Sequence, residues 1–184
     1  MFSADRYVAA LRFAAARHHG QLVPGSELPY IVHVTSVAAE VLAAIAGDPV
    51  GDPDLAVTCA LLHDTIEDTN TTADELRVAF GEVITSVVLE VTDDKSLDRA
   101  ERKRRQVEHA HELSERAKLV KLADKICNVY DMVAAPPAKW SPERKREYLV
   151  WAKDVVDRLR GTHAGLETIF DEVYAKGIRA LAAA

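Results

Sequence analysis

The stretch from Ala60 to Thr72, ALLHDTIEDTNTT, ends an apolar run with His63, Asp64, Glu67 and Asp68. Polar groups at the end of a segment patterned for burial cost desolvation unless something compensates them, and a metal ion is the first candidate. On one helix, at about 100° per residue, all four fall within an arc of roughly 140°. Adjacent His63 and Asp64 can direct a ring nitrogen and a carboxylate oxygen at one ion. Glu67 and Asp68 stand a turn later, too far along to be natural ligands, and are placed to act on water beside the ion. The competing reading is a helix end whose acids simply face solvent. The apolar LAVTCALL just before it weakens that reading.

Two further residues could complete the set. His33, in PYIVHV, lies near the start of an apolar-striped helix, where the alternative is a core histidine satisfied by one hydrogen bond. Asp124, in KLVKLADKICN, sits at the edge of an apolar stripe beside Val120 and Cys127, and its alternative is a surface ion pair with Lys121. Together the four offer two nitrogens and two carboxylates. That mixed sphere suits Mn²⁺, Fe²⁺ or Zn²⁺ without choosing among them, and leaves open positions that fit catalysis better than a structural role.

The elements that must carry these residues read as helices almost throughout. Ser3 caps a first helix reaching Gly20; QLVPGSELPY is a loop; Ile31 to Ala46 repeats apolar residues at helical spacing. Asp54 is expected to cap one helix running unbroken through LAVTCALLHDTIED. Thr72-Ala73-Asp74-Glu75 is a capping box, and Gly81 separates its helix from EVITSVVLEVT, which is β-branched but keeps the i, i+3, i+4 pattern. A charged helix spans roughly Arg99 to Leu113. Ser114 opens another that Pro136-Pro137 ends, Ser141-Pro142 starts the next, and two helices flank Gly161. The expectation is an all-α helical bundle of about eight to ten helices, given ordinary helix lengths, forming a single domain over residues 1–184.

Composition bounds the function. A chain of 184 residues with net charge -6 argues against a general nucleic-acid binder, which needs a dominant basic face. It has neither a membrane-length apolar run nor a signal-peptide pattern, so a cytoplasmic protein with no membrane partner is expected. Cys59 and Cys127 sit far apart in apolar helical patterns and read as buried thiols in a reducing compartment.

His33, the His63-Asp64 pair and Asp124 match the H…HD…D pattern of HD-domain metal-dependent phosphohydrolases. PYIVH, ALLHDTIEDTNTT, FGEVITSVVLEVTDDKSL, ERKRRQVEHA and AKLVKLADKICNVYDM, in that order, narrow the match. The chain resembles the hydrolase domain of the RelA/SpoT alarmone enzymes, in its small stand-alone, metazoan SpoT-homologue form, over roughly Arg6 to His163. The resemblance implies an HD-domain bundle with a Mn²⁺ cofactor that removes pyrophosphate from the 3′ position of guanosine 3′,5′-bis(diphosphate) or the pentaphosphate, leaving GDP or GTP. It implies His33, His63, Asp64 and Asp124 as metal ligands, and Glu67 and Asp68 as the groups that orient and deprotonate the attacking water. Asn128 and Tyr148 match nucleotide-contacting positions, and Lys95, Arg102, Lys103 and Lys118 supply cations for an anionic alarmone. At least half of the RAERKRR run is expected to be solvated helix face.

Four positions depart from that family. Leu22 and Val23 stand where an arginine-lysine pair usually follows H.GQ, Val34 replaces a proline, and Tyr130 replaces an arginine. The alternatives are therefore an adenosine 3′-diphosphate alarmone hydrolase, a broader nucleotide phosphohydrolase or a non-catalytic nucleotide sensor. Retention of Glu67 and Asp68 speaks against the sensor. The resident metal, the oligomeric state and the physiological substrate stay open at this stage.

Overall fold

The computed structural model describes residues 2–49 and 51–182; Met1, Val50, Ala183 and Ala184, which the expected domain also spans, lie outside them. The described residues form ten α-helices and no named strand: α1 (Ala4–Arg17), α2 (Ile31–Gly47), α3 (Pro53–Leu62), α4 (Thr65–Asp68), α5 (Ala73–Phe80), α6 (Glu82–Val91), α7 (Arg99–His109), α8 (Glu115–Ala134), α9 (Pro142–Asp157) and α10 (Ala164–Ala182). A short 3₁₀ turn, Ala110–Glu112, follows α7.

Local chemistry sets most boundaries. Ser3, Thr72, Asp98, Ser114 and Ser141 each accept a main-chain N–H at a helix start, and Thr72 with Glu75 closes a full capping box. The β-branched α6 buries Ile84, Thr85, Val87, Val88 and Val91 on one face, so tertiary packing overrides its strand propensity. One cap differs from expectation: α3 is capped by Asp52, with Pro53 in its first turn, while Asp54 accepts the main-chain N–H of Ser3.

The larger difference is that LAVTCALLHDTIED is not one helix. α3 stops at Leu62, and α4 restarts after Asp64, whose φ and ψ are -97° and 0°. Side chains satisfy the carbonyls freed there: Thr65 Oγ1 donates to Leu62 O at 2.6 Å, and His63 Nδ1 lies 2.8 Å from Ala60 O. Such local side-chain bonds compete with the helical ladder and turn the chain.

α3 is buried from Ala56 to Leu62, and α8 packs against α2, α3, α6, α9 and α10. Three helices through one core, α2, α3 and α8, thus carry His33, His63 and Asp124 to a common point. The α1–α2 connection folds back on itself through a Leu22–Pro29 bridge, and its tip meets the loop after α8. Gly25 makes that seam, with φ at 86° and an added Cβ only 2.5 Å from Ala135 O.

Gly20 has a similar φ of 80° with nothing close by, so Gly20→Ala should cost about 1 kcal/mol, the left-handed backbone term alone. Gly25→Ala adds a backbone collision and should cost about 2–4 kcal/mol by urea unfolding. Equal losses would mean that the two loops separate freely.

Candidate metal centre and nucleotide cleft

One ligand atom from each of His33, His63, Asp64 and Asp124 lies within 4.8 Å of all the others, and the two histidines and Asp124 are buried. Each imidazole is aimed from behind. His63 Nδ1 is anchored on Ala60 O, and His33 Nδ1 faces Asp131 Oδ2 at 3.5 Å, which leaves both Nε2 atoms pointing inward. Inside, His63 Nε2 is 2.9 Å from Asp64 Oδ2 and 3.6 Å from Asp124 Oδ1; His33 Nε2 is 3.3 Å from Asp124 Oδ1 and 3.7 Å from Asp64 Oδ2. Neither Nε2 makes a well-formed hydrogen bond, although both are buried. Ligands about 2.1 Å from one ion stand about 3.0–3.4 Å apart, so these spacings and orphaned nitrogens fit a divalent cation better than a closed hydrogen-bond network.

The electrostatics point the same way. Burial by itself would lower the His33 imidazole, but the Asp124 and Asp131 carboxylates outweigh it and hold it up at about 9. His63 is likewise raised: burial opposes the shift, and Asp64 with Asp124 overcomes it. Burial would raise the two carboxyls, yet His63 holds Asp64 low, and Lys125 with the histidines holds Asp124 low. Two buried carboxylates therefore demand positive charge at this point, and a metal competes with the imidazole protons for it.

Glu67 and Asp68 follow on α4. Glu67 accepts the Asp93 main-chain N–H at 2.8 Å, and its carboxyl is raised by burial and by the neighbouring Asp64 charge. Asp68 pairs with Lys95 at 2.7 Å, while Lys95 lies 3.5 Å from Glu67. Tyr30 donates its hydroxyl to Asp64 Oδ2 at 2.7 Å; burial and the Asp64 charge push its ionisation far above the ordinary phenol range, so the proton stays on it. Asn128 donates to Asp124.

A cleft of about 240 Å³ opens beside this cluster, lined by Tyr30, His33, Asn128 and Tyr148 together with an apolar edge of Val23, Pro24 and Met132. Arg99 and Trp140 line it too, and Trp140 lies between the Arg99 and Arg144 guanidinium groups, at 5.7 and 4.5 Å from its ring centre. Lys103 stands 5.2 Å from the Tyr148 ring and 4.4 Å from that of Trp151.

Of the residues expected to meet substrate, the structure brings Asn128 and Tyr148 to the cleft and Lys103 behind Tyr148. Lys95 stays at the site, in a hollow it shares with Glu67 and Asp68, and the structure places Arg102 and Lys118 elsewhere. Lys95 is held by Asp68 and Glu67. Arg102 donates to Leu97 O and faces a separate hollow with Asp93 and Lys121. Lys118 pairs with Glu115 in the first turn of α8, six residues before Asp124. Sequence reasoning missed Tyr30, Asp131, Arg99, Trp140 and Arg144. Trp140 did carry a signal, as an aromatic set between a proline pair and the Ser141 cap. Arg99 was lost in a basic run, being exposed like Arg104 and Arg105 beside it.

Residues 10–153 match the family described as HD domain. The chain is 47% identical over 167 residues to guanosine-3′,5′-bis(diphosphate) 3′-pyrophosphohydrolase MESH1 of Xenopus tropicalis, covering 90% of each protein. It is 44% identical over 173 residues to the human protein of that name, covering 93% of this chain and 94% of the relative. A solved structure described as a metazoan ortholog of SpoT that hydrolyses ppGpp superposes with a TM-score of 0.87 at 41% identity, over 95% of this chain and 97% of that one.

The cluster should hold one divalent ion per chain by elemental analysis. His63→Ala should lose it, and Glu67→Gln should keep it. Because the imidazoles are raised, metal must displace protons, so affinity should fall as pH falls below about 9. A metal affinity independent of pH, or metal lost from Glu67→Gln alone, would reassign the ligands.

Proposed function

The chain belongs to the HD-domain family, and from that premise we propose that it is a 3′-pyrophosphohydrolase of guanosine 3′,5′-bis(diphosphate) and the corresponding pentaphosphate. The observation that carries this is the four-residue cluster with Glu67 and Asp68 immediately beside it, in a chain whose relatives over nine-tenths of its length bear that activity's name.

In this reading His33, His63, Asp64 and Asp124 hold the ion, with Mn²⁺ favoured by the resemblance and Fe²⁺ or Zn²⁺ compatible with the same donors. A divalent ion there supplies a Lewis acid for the phosphoryl oxygens and lowers the pKa of water. Glu67, its carboxyl raised by burial and the Asp64 charge, accepts the proton of the attacking water, while its bond from the Asp93 N–H keeps one oxygen fixed. Asp68 orients the same water, and Lys95 holds the Asp68 carboxylate in place. The water oxygen bonds to the phosphorus nearest the ribose as the 3′ O–P bond breaks. Pyrophosphate leaves, and the 3′ oxygen takes up a proton. Arg99 puts cationic charge on the wall that faces the nucleotide, Arg144 and Lys103 reinforce it from behind Trp140 and Tyr148, and Asn128 and Tyr148 contact the substrate. Free buried thiols at Cys59 and Cys127 suit a reducing cytoplasm.

One observation favours a looser choice of base. Val23, 5% exposed, and Pro24 line the cleft without a charge, whereas Leu22 is 54% exposed and turned to solvent. An apolar edge packs against any purine and reads no hydrogen-bonding group. Guanosine and adenosine 3′-diphosphates are therefore expected as substrates with specificity constants within about tenfold, the scale of one modest contact.

Mass spectrometry of products from Mn²⁺-loaded protein and both nucleotides tests these statements: GDP and pyrophosphate are expected from the guanosine substrate. Glu67→Gln should lower kcat by about two to four orders of magnitude. Release of orthophosphate alone, or no turnover of either nucleotide, would overturn the assignment.

A pH dependence follows from Lys103, whose amine burial and the nearby Arg99 and Lys125 charges lower to about 8. It is cationic below that pH and neutral above it, so kcat/KM for an anionic substrate should fall as pH rises through about 8. Lys103→Arg, charged throughout, should shift that limb upward. An unshifted limb would remove Lys103 from substrate binding.

A further inference from the structure

The α1–α2 connection touches the catalytic carboxylates at more points than a tether needs. Gln21 donates its amide to the main-chain carbonyl of Asp68 at 2.6 Å and is itself 2.7 Å from His18 Nδ1. The Tyr30 N–H donates to Gln21 O at 2.9 Å, which ties the two ends of the connection together. The Tyr30 ring lies between two imidazoles, 4.9 Å from His18 and 5.2 Å from His33. Its hydroxyl is thereby delivered to Asp64 Oδ2 at 2.7 Å, with Asp68 Oδ2 at 3.4 Å.

Asp64 Oδ2 is the oxygen that faces both His63 Nε2 and His33 Nε2. Asp64 is the N-cap of α4: its main-chain oxygen accepts the Asp68 N–H at 2.8 Å, but its carboxylate makes no capping bond, and the terminal torsion of an aspartate is soft. A carboxylate free to rotate would present either oxygen, singly or as a pair. One short hydrogen bond from the Tyr30 hydroxyl, at 2.7 Å, selects the oxygen and its angle.

We infer that Tyr30 is the positioning residue of the metal centre: its hydroxyl fixes the Asp64 carboxylate in ligating orientation and sets its spacing from the water-activating Asp68. This rests on the reading of the cluster as a metal site. Partners behind metal ligands typically contribute ten- to a hundred-fold in affinity or activity. Tyr30 also lines the cleft, so a role in gripping substrate is the rival explanation, and the two separate in kinetics.

Tyr30→Phe keeps the ring between His18 and His33 and removes only the hydroxyl. Free Mn²⁺ measured by electron paramagnetic resonance should show a Kd raised about ten- to a hundred-fold. At saturating Mn²⁺, kcat should fall about tenfold while KM moves less than about threefold. Gln21→Met loosens the Asp68 carbonyl but keeps the hydroxyl, and should leave the Mn²⁺ Kd within about threefold of wild type, well inside the range expected of a lost partner. Three results overturn the inference: an unchanged Mn²⁺ Kd in Tyr30→Phe, a loss confined to KM, or an equal loss of metal in Gln21→Met. If wild-type protein binds no Mn²⁺, it is the reading of the cluster that fails, and Tyr30 is not in question.

Discussion

The buried carboxylate of Asp124 and the largely buried one of Asp64, set against two imidazoles, are the charge arrangement that the rest of the site is built around. Asp64 and Asp124 lie where three core helices meet, and removing a carboxylate from water costs several kcal/mol even after relaxation. Lys125, at 3.1 Å from Asp124, offsets part of that cost from one side and is itself buried, with its charge resting 4.6 Å from the Trp151 ring. What remains must come from positive charge at the centre of the cluster, as imidazolium protons or as a metal. The demand is built into the packing of α2, α3 and α8, so the site is a property of the core and not of a surface loop.

That constraint explains the break between α3 and α4. A continuous helix would have spread His63, Asp64, Glu67 and Asp68 over a wide arc, with Asp64 pointing away from His33. Ending α3 at Leu62 lets His63 and Asp64 turn inward together while α4 sets Glu67 and Asp68 beside them. Thr65 and His63 partner the Leu62 and Ala60 carbonyls, which offsets the cost of burying a turn there. Tyr30 then supplies the orientation that a regular helix would have given Asp64.

Much of this was legible in the sequence because it is written in short-range rules. Caps at Ser3, Thr72, Ser114 and Ser141 and the apolar periodicities of α2, α6 and α8 fix the all-α order. The spacing of His63, Asp64, Glu67 and Asp68 flags chemistry without any structure. The chain break within HDTIED was not legible, because the residues that stop the helix are the site residues themselves and their side-chain bonds appear only once folded. The cationic wall was half legible. Charge in a sequence does not reveal its partner: Lys118 pairs with Glu115, and Lys95 pairs with Asp68 at the site itself. Arg99 and Arg144 come from different helices and acquire a common role only when Trp140 is set between them.

The α1–α2 connection joins the two halves of the site while keeping them separable. Its base is fixed: Gln21 on Asp68, Tyr30 on Asp64, and the main-chain bond between Gln21 and Tyr30 closing the loop. Its tip is held by a second rung, Val23 N–H to Leu28 O at 2.8 Å, and by the Gly25 seam against Ala135. Side chains between the two rungs face the cleft or solvent and touch none of the four cluster residues by hydrogen bond or ion pair. Leu22 and Val23 therefore set what the cleft can grip without straining the four-residue cluster or Glu67 and Asp68. The same main-chain rungs hold this segment in place whatever side chains it carries at positions 22 and 23, while the cluster residues come from α2, the α3–α4 turn and α8.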